Sequence, residues 1–118
     1  MTVDEFVAQI KSQPETVEFN DVIDCIDEHF EYSPVHFTNG QGHDTVINQP
    51  GSNEGSCKIF AFAIMQGLNT AETLACFGKY YREDVLKKPE GTDHANIRSF
   101  MRDGWNGIHF DDSALLSR

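Results

Sequence analysis

The side chains best suited to chemistry in this chain are three basic residues that lie at the starts or on the faces of predicted helices. Lys58 follows a glycine-rich stretch at residues 51–55 and lies one turn into a predicted helix, so it can reach an anion held at that helix start. Arg82 can hold a carboxylate or phosphate through two parallel hydrogen bonds. His94 can act as an acid or base near neutral pH. If the chain has a binding site, we expect these three residues to contribute to it.

The candidate ligand-binding cluster adds polar neighbours to these cations. Its members are Asn53, Lys58, Tyr81, Arg82, His94 and Arg98. We expect a small anionic ligand, bound by a binding protein or by a small enzyme. A structural alternative is that Glu54 pairs with Lys58 four residues later on one helix face, while the other members cap helices and brace loops. The residues leave both hypotheses open and assign no catalytic residue.

Known catalytic and metal-binding motifs are absent from the sequence. A P-loop requires lysine directly after its last glycine, whereas Lys58 follows Gly55 by three residues. The five histidines form neither an HExxH motif nor a His-x-His pair, so no metal and no cofactor are predicted. Ser56 and Cys57 qualify as nucleophiles only if a base packs nearby.

Length and charge limit the class of protein. The 118 residues fit one domain, residues 1–118. The net charge is −10, and residues 1–31 hold nine acids against one lysine. This balance opposes nucleic-acid binding and favours a protein partner with a basic surface. The longest apolar run, residues 59–65, is far shorter than the ~20 residues of a membrane span, so no membrane association is expected.

The chain contains three cysteines, an odd number, and none of them form a CxxC pair. They are Cys25, Cys57 and Cys76, each next to apolar residues in a predicted helix. We therefore predict buried free thiols, as in a protein of the reducing cytoplasm.

Helical periodicity dominates the pattern and predicts a helix-rich α+β fold. Capping boxes at Thr2 with Glu5 and at Asn69 with Glu72 mark two of about five helix starts. The predicted helices cover about residues 2–13, 17–31, 54–67, 69–85 and 93–103. Thr92 or Asp93 is the expected cap of the last helix, and Gly78 indicates that the fourth is not one straight helix.

A small antiparallel sheet is expected beside the helices. It contains a hairpin near residues 36–47, where β-prone triplets flank a glycine-rich loop, and a short strand near residues 108–110 is a candidate third strand. The helix at residues 54–67 has no polar face in its middle, so it is expected at the centre of the fold. Phe60 and Ile64 are expected to lie at the centre of the core.

Several motifs occur in a characteristic order along the chain. They are Phe37-Thr-Asn-Gly40, Asn53-Glu-Gly-Ser-Cys-Lys58, Tyr80-Tyr-Arg82, Asp93-His94 with Asn96-Ile-Arg98, and Gly104-Trp105. In this order they resemble the HopJ type III effector family, and with neighbouring matches they span about residues 19–110. The resemblance implies a bacterial protein without an established catalytic mechanism. It favours a non-enzymatic interaction protein, with the small enzyme or anion-binding protein as the alternative.

The resemblance also implies secretion through a type III system. Leaders for that route are usually flexible, serine-rich and poor in acids. Here Asp4 and Glu5 lie in a capped helix, and the first 50 residues contain only two serines, Ser12 and Ser33. We therefore expect weak export or none, and a cytoplasmic protein.

Overall fold

Helices provide most of the secondary structure in the computed structural model, which describes residues 1–118. The five α-helices are α1 (Val3–Ser12), α2 (Phe19–His29), α3 (Glu54–Gln66), α4 (Thr70–Ala75) and α5 (Ala95–Asp103). A π-helical segment, Tyr80–Val85, lies between α4 and α5. Both predicted capping boxes are formed, at the starts of α1 and α4. The prediction of a helix-rich α+β fold is confirmed.

Five strands of three residues each form two antiparallel sheets. The strands are β1 (Phe30–Tyr32), β2 (Phe37–Asn39), β3 (Val46–Asn48), β4 (Ile108–Phe110) and β5 (Leu115–Ser117). In one sheet β2 lies between β3 and β4, which confirms the predicted hairpin and the strand near residues 108–110. In the other sheet β1 pairs with β5.

The sheet formed by β1 and β5 was not predicted. Phe30 continues the apolar spacing of Val22 and Ile26, so the helical pattern of α2 gives no sign that the chain becomes extended. The predicted second helix therefore ends two residues too late, and it also begins two residues too early, since α2 starts at Phe19. Helical spacing alone cannot report a change that depends on pairing with a distant strand.

An aromatic cluster around Phe60 of α3 forms the centre of the core. The Phe60 ring lies 5.0–6.3 Å, between centroids, from four other rings. These belong to Phe37, Phe77, Phe100 and Trp105. Every residue from Ile59 to Ala63 is buried, so the central position of α3 is confirmed.

The predicted place of Ile64 in the core is wrong, because its side chain is 52% exposed. Ile64 and Met65 lie in the last turn of α3, beside an open groove bordered by residues 110–115. No element covers this turn, although Ile64 follows Phe60 at helical spacing. Periodicity gives the direction of a side chain but not the length of helix that its neighbours cover.

Gly78 divides the predicted helix of residues 69–85 into α4 and the π-helical segment. Its φ of +59° belongs to the left-handed region that favours glycine. A Cβ at this position would lie 2.7 Å from the backbone nitrogen of Phe19. The absence of a side chain therefore lets the start of α2 approach this turn and brings Phe19 next to Tyr80.

Candidate ligand-binding cleft

A cleft of about 340 Å³ lies where the starts of α2, α3 and α5 meet the π-helical segment. Its lining combines polar groups from two helix starts with apolar and aromatic side chains. The lining residues are Phe19, Val46, Asn53, Gly55, Ser56, Phe77, Tyr80, His94, Ala95, Asn96 and Ile97. A concave surface with a few convergent polar groups is the usual form of a small-molecule site.

The N-cap residues of α3 and α5 share an unusual backbone conformation. Asn53 and His94 both have a φ of +52° and are the only residues other than glycine with positive φ. Because His94 is the N-cap of α5, the predicted caps Thr92 and Asp93 are wrong. Such a conformation costs roughly 1–2 kcal/mol per residue. Both of these strained positions lie in the lining of the cleft.

The first amides of α3 and α5 have no hydrogen-bond partner within the protein. Neither Asn53 nor His94 caps its helix with a side chain. The first backbone N–H groups that donate are those of Cys57 in α3 and Arg98 in α5. The N–H groups of residues 54–56 and 95–97 are thus free, and most of them belong to residues that line the cleft. Free amides and the N-terminal ends of two helix dipoles favour negative charge at these helix starts.

The His94 side chain is held by two residues of the π-helical segment. Its Nε2 atom lies 3.0 Å from Oδ2 of Asp84, and its ring centroid lies 5.2 Å from that of Tyr80. When Nε2 donates its hydrogen to Asp84, Nδ1 keeps a lone pair, and protonation makes both nitrogens donors. The π-helical turn brings the side chains of Tyr80 and Asp84 into contact with the same imidazole. Such turns are frequent at functional sites.

Four asparagines, which we call the asparagine cluster, tie the cleft to the sheet. They are Asn39, Asn48, Asn53 and Asn96. The side-chain amides of Asn48 and Asn96 donate to each other at 3.1 and 2.9 Å, and Nδ2 of Asn53 donates to Oδ1 of Asn48 at 2.8 Å. Nδ2 of Asn39 donates to the Asn96 carbonyl at 2.8 Å. Except for Asn53 these residues are buried, so directional bonds fix both helix starts against β2 and β3.

Aromatic rings form the apolar wall of the cleft. Phe19 meets Tyr80 edge to face, with ring centroids 5.1 Å apart at an interplanar angle of 72°. The Phe19 ring also packs against Gly55, where an added Cβ would lie 2.7 Å from its Cζ atom. Gly55 therefore permits an aromatic ring to lie directly against the first turn of α3.

Two of the six candidate ligand-binding residues, Asn53 and His94, line this cleft. Lys58 does not line it. Its ammonium lies 2.8 Å from Oδ1 of Asp27 on α2 and 4.9 Å from the centroid of the Tyr32 ring. The expected ion pair between Glu54 and Lys58 is wrong, because Lys58 forms its ion pair with Asp27 instead.

The other candidates contact different parts of the molecule. Arg82 donates to the Val17 carbonyl at 2.9 Å and lies 3.6 Å from a carboxylate oxygen of Glu18. Arg98 donates to the backbone carbonyls of Lys88 and Asp93, and Tyr81 packs half-buried against the core. No hydrogen bond or ion pair joins any two of Lys58, Arg82 and His94. A cleft-binding role of these three as one group stays a prediction.

Sequence reasoning missed several residues that shape the cleft. Asn39 and Asn48 directly follow the β-prone triplets of residues 36–38 and 45–47, and Asn96 precedes an apolar helix face. All three are buried, at positions where apolar residues are more usual. A polar residue on a buried face is the signal that could have found them. Phe19 and Tyr80 give no such signal, because aromatic residues at helical spacing usually indicate core.

The thiols of Cys25, Cys57 and Cys76 are free and buried, as predicted. Burial raises the pKa of all three, that of Cys76 to about 12, so these sulfurs stay protonated at neutral pH. No three histidine, cysteine, aspartate or glutamate side chains come together in a way that could hold a metal ion. None of the helices has both the length and the apolar character that crossing a membrane requires.

Comparison with known proteins assigns a family to this fold and cleft. Residues 3–115 match the model of the HopJ type III effector protein family. The chain belongs to the HopJ family. It is also similar to the crystal structure of the protein of unknown function VPA0580, with 45% identity, a TM-score of 0.95, and coverage of 100% of this chain and 95% of that one. No curated protein matches the chain significantly. HopJ membership thus confirms the resemblance and brings no established activity.

Proposed function

We propose that this HopJ-family protein binds a small organic anion in the cleft between α3 and α5. The observation that carries the proposal is the convergence of two helix starts on one concave surface, where five of their six free amides belong to residues that line the cleft. Helix starts of this kind favour anions through their amides and their dipoles. The hydroxyl of Ser56 lies in the same lining and adds a donor, and Nδ1 of His94 becomes a second donor when the imidazole is protonated.

Local charges are compatible with an anion despite the net charge of −10. Of the nearby acids, Asp84 is bonded to His94, and Asp93 is paired with Arg98 at 2.7 Å. Glu54, in the first turn of α3, lies outside the cleft lining. The acids of residues 1–31 are mostly exposed and are screened by salt beyond ~8–10 Å. Short-range donors therefore dominate the potential at the helix starts.

The test is a titration that follows backbone amide NMR signals. Acetate and phosphate should shift the signals of residues 54–56 and 95–97 in a saturable manner. The substitution Ser56→Asp adds a carboxylate in the first turn of α3, where it favours the helix but repels an anion. We expect this variant to keep the stability of the wild type and to lose the shifts.

Ser52→Asp is the matched control, since Ser52 is exposed and lies outside the cleft lining. This variant carries the same added charge and should keep anion binding. Absence of saturable shifts in the wild type, or equal binding by Ser52→Asp and Ser56→Asp, would refute the proposal.

A non-enzymatic interaction protein is the second candidate function, favoured by the acidic face of α2. The acids of that face are exposed, and they are Asp21, Asp24, Asp27 and Glu28. A basic partner surface is the complement. A lysine-rich peptide should then shift the α2 signals in a salt-dependent manner, and Asp24→Asn with Glu28→Gln should weaken the effect. Equal shifts with a neutral peptide would argue against this candidate.

We also propose the cytoplasm as the compartment of action, with type III secretion as the alternative. Three buried, unpaired thiols support a reducing compartment. The test is a fusion of residues 1–50 to a translocation reporter in a secretion-competent strain. Efficient delivery of the reporter would favour the effector role instead.

A further inference from the structure

We propose that the ligand of this cleft is an aromatic carboxylate, whose ring lies against Tyr80 and Phe19 while its carboxylate faces the starts of α3 and α5. The inference rests on the proposed anion-binding function and adds the class of ligand. Its basis is the aromatic wall, which the free amides do not explain.

The wall contains three rings in continuous contact. Phe19 and Tyr80 meet edge to face at 5.1 Å, and Tyr80 and His94 lie 5.2 Å apart with an angle of 36°. Tyr80 is 43% exposed, and no hydrogen bond engages its hydroxyl. An exposed ring held by two other rings offers a rigid surface for a further ring in offset or edge-on contact.

The cleft lining combines free amides with apolar rings. The amides belong to residues that include Gly55, Ser56 and Ala95, and the rings are those of Phe19, Phe77 and Tyr80. A volume of about 340 Å³ is much larger than one inorganic anion needs. Such an ion could bind the amides but would leave the rings exposed to water. A ring joined to a carboxylate can contact both kinds of group.

The acids near His94 fit a ligand group with a single negative charge. Asp84 and Asp93 both lie near His94, at 3.0 and 3.8 Å from Nε2. These carboxylates oppose a second negative charge close to the imidazole. A carboxylate, with one charge and two acceptor oxygens, matches this balance better than a doubly charged phosphate ester.

The experiment compares the dissociation constants of four probes by NMR titration of the complete chain. The probes are benzoate, cyclohexanecarboxylate, acetate and benzamide. We expect benzoate to bind about tenfold more tightly than acetate, and more tightly than cyclohexanecarboxylate, because ring contacts add to area burial. Benzamide, which has the ring without the charge, should bind much more weakly than benzoate.

Variants at Tyr80 test whether contact with its ring causes the preference for benzoate over acetate. Tyr80→Ala should lower the ratio of benzoate to acetate affinity to near one, and Tyr80→Phe should keep the ratio. Tyr80→Leu provides a second test if the alanine variant is unstable. Leu86→Ala is the control, since Leu86 is 48% exposed and lies outside the cleft lining.

The outcomes separate this inference from the function on which it rests. Equal affinity for acetate and benzoate, or an unchanged ratio in Tyr80→Ala, would overturn the aromatic ligand and leave anion binding in place. Absence of binding by every anion would overturn both. Equal binding of benzoate and benzamide would show that charge has no role, which also contradicts both.

Discussion

The aromatic cluster around Phe60 and the asparagine cluster beside the cleft are both buried, yet they differ in how they hold the fold. Phe60 contacts its neighbours through rings at several angles, and the burial of apolar surface that drives this packing is not directional. Asn48 and Asn96 join through two hydrogen bonds that each require one orientation of the amide. The aromatic cluster contributes most to the stability of the fold, and the asparagine cluster fixes the positions of the helix starts at the cleft.

The difference explains how strained residues persist at the cleft. The left-handed conformations of Asn53 and His94 are unfavourable, and they are stable only if their surroundings fix them. Asn53 donates directly to Asn48, and His94 precedes the first two residues of α5, of which Asn96 belongs to the asparagine cluster. Buried polar bonds therefore determine the direction of the free amides, while the aromatic cluster supplies the free energy that offsets the strain.

Phe60→Ala should have the largest effect on stability. Removal of a fully buried phenylalanine leaves a cavity among four rings, so the free energy of unfolding should fall by ~3–5 kcal/mol. Urea denaturation followed by circular dichroism measures this change. Ile64→Ala is the control one turn later, where the half-exposed side chain should cost less than ~1 kcal/mol. Similar losses in both variants would contradict the position of α3.

Asn48→Ala should destabilise less and alter the cleft more. The change leaves Asn53 and one side of Asn96 without partners, so we expect a loss of ~1–3 kcal/mol. Amide signals of residues 53–56 and 94–97 should shift more than those of the aromatic cluster. Asn106→Ala, at an exposed asparagine, should change neither quantity. A uniform shift across the protein would mean that the asparagine cluster has no special role at the cleft.

Sequence patterns were sufficient for the parts of the fold that depend on local spacing. Capping residues located the starts of α1 and α4, and a continuous apolar run located α3. Patterns failed where a distant contact decides the structure. Phe30 is extended because β1 pairs with β5, and the break at Gly78 depends on the approach of Phe19.

The candidate site was predicted less well than the fold, for a physical reason. The prediction chose cations, but Lys58 and Arg82 are engaged by acids and carbonyls of other elements. The donors that remain free are backbone amides, which every residue type carries. They stay free because the first amides of a helix have no partner within the helix and neither Asn53 nor His94 supplies a side-chain cap, which the sequence around these residues does not reveal.

Asn53→Gly and Asn53→Ala form a pair that measures the strain at the cleft. Both variants lose the side-chain bond to Asn48, so the comparison isolates the backbone. Glycine adopts positive φ without steric cost, and alanine does not. We expect the alanine variant to be less stable by ~1 kcal/mol in urea denaturation. Equal stabilities would show that the chain at residue 53 relaxes out of the left-handed region.

Asp103→Asn should have the smallest effect, visible only as a change with pH. The guanidinium of Arg102, 2.8 Å from Oδ2, and then the N–H of Gln41 lower the pKa of the Asp103 carboxyl. The folded state thus favours the ionised form, and the unfolded chain takes up the proton first as pH falls. This contribution to stability is complete above the unfolded pKa of ~3.9 and decreases as pH falls towards the lower folded value.

The measurement compares urea midpoints at pH 7 and pH 3. The wild type should lose more stability between these values than Asp103→Asn does, because asparagine cannot titrate. Asp21→Asn is the control, since the exposed Asp21 carboxyl forms no ion pair and its removal should leave the pH dependence nearly unchanged. If Asp103→Asn and Asp21→Asn respond alike, the bonds of Asp103 do not persist in solution. The link between the end of α5 and the loop at Gln41 would then be weaker than the asparagine cluster at the start of the same helix.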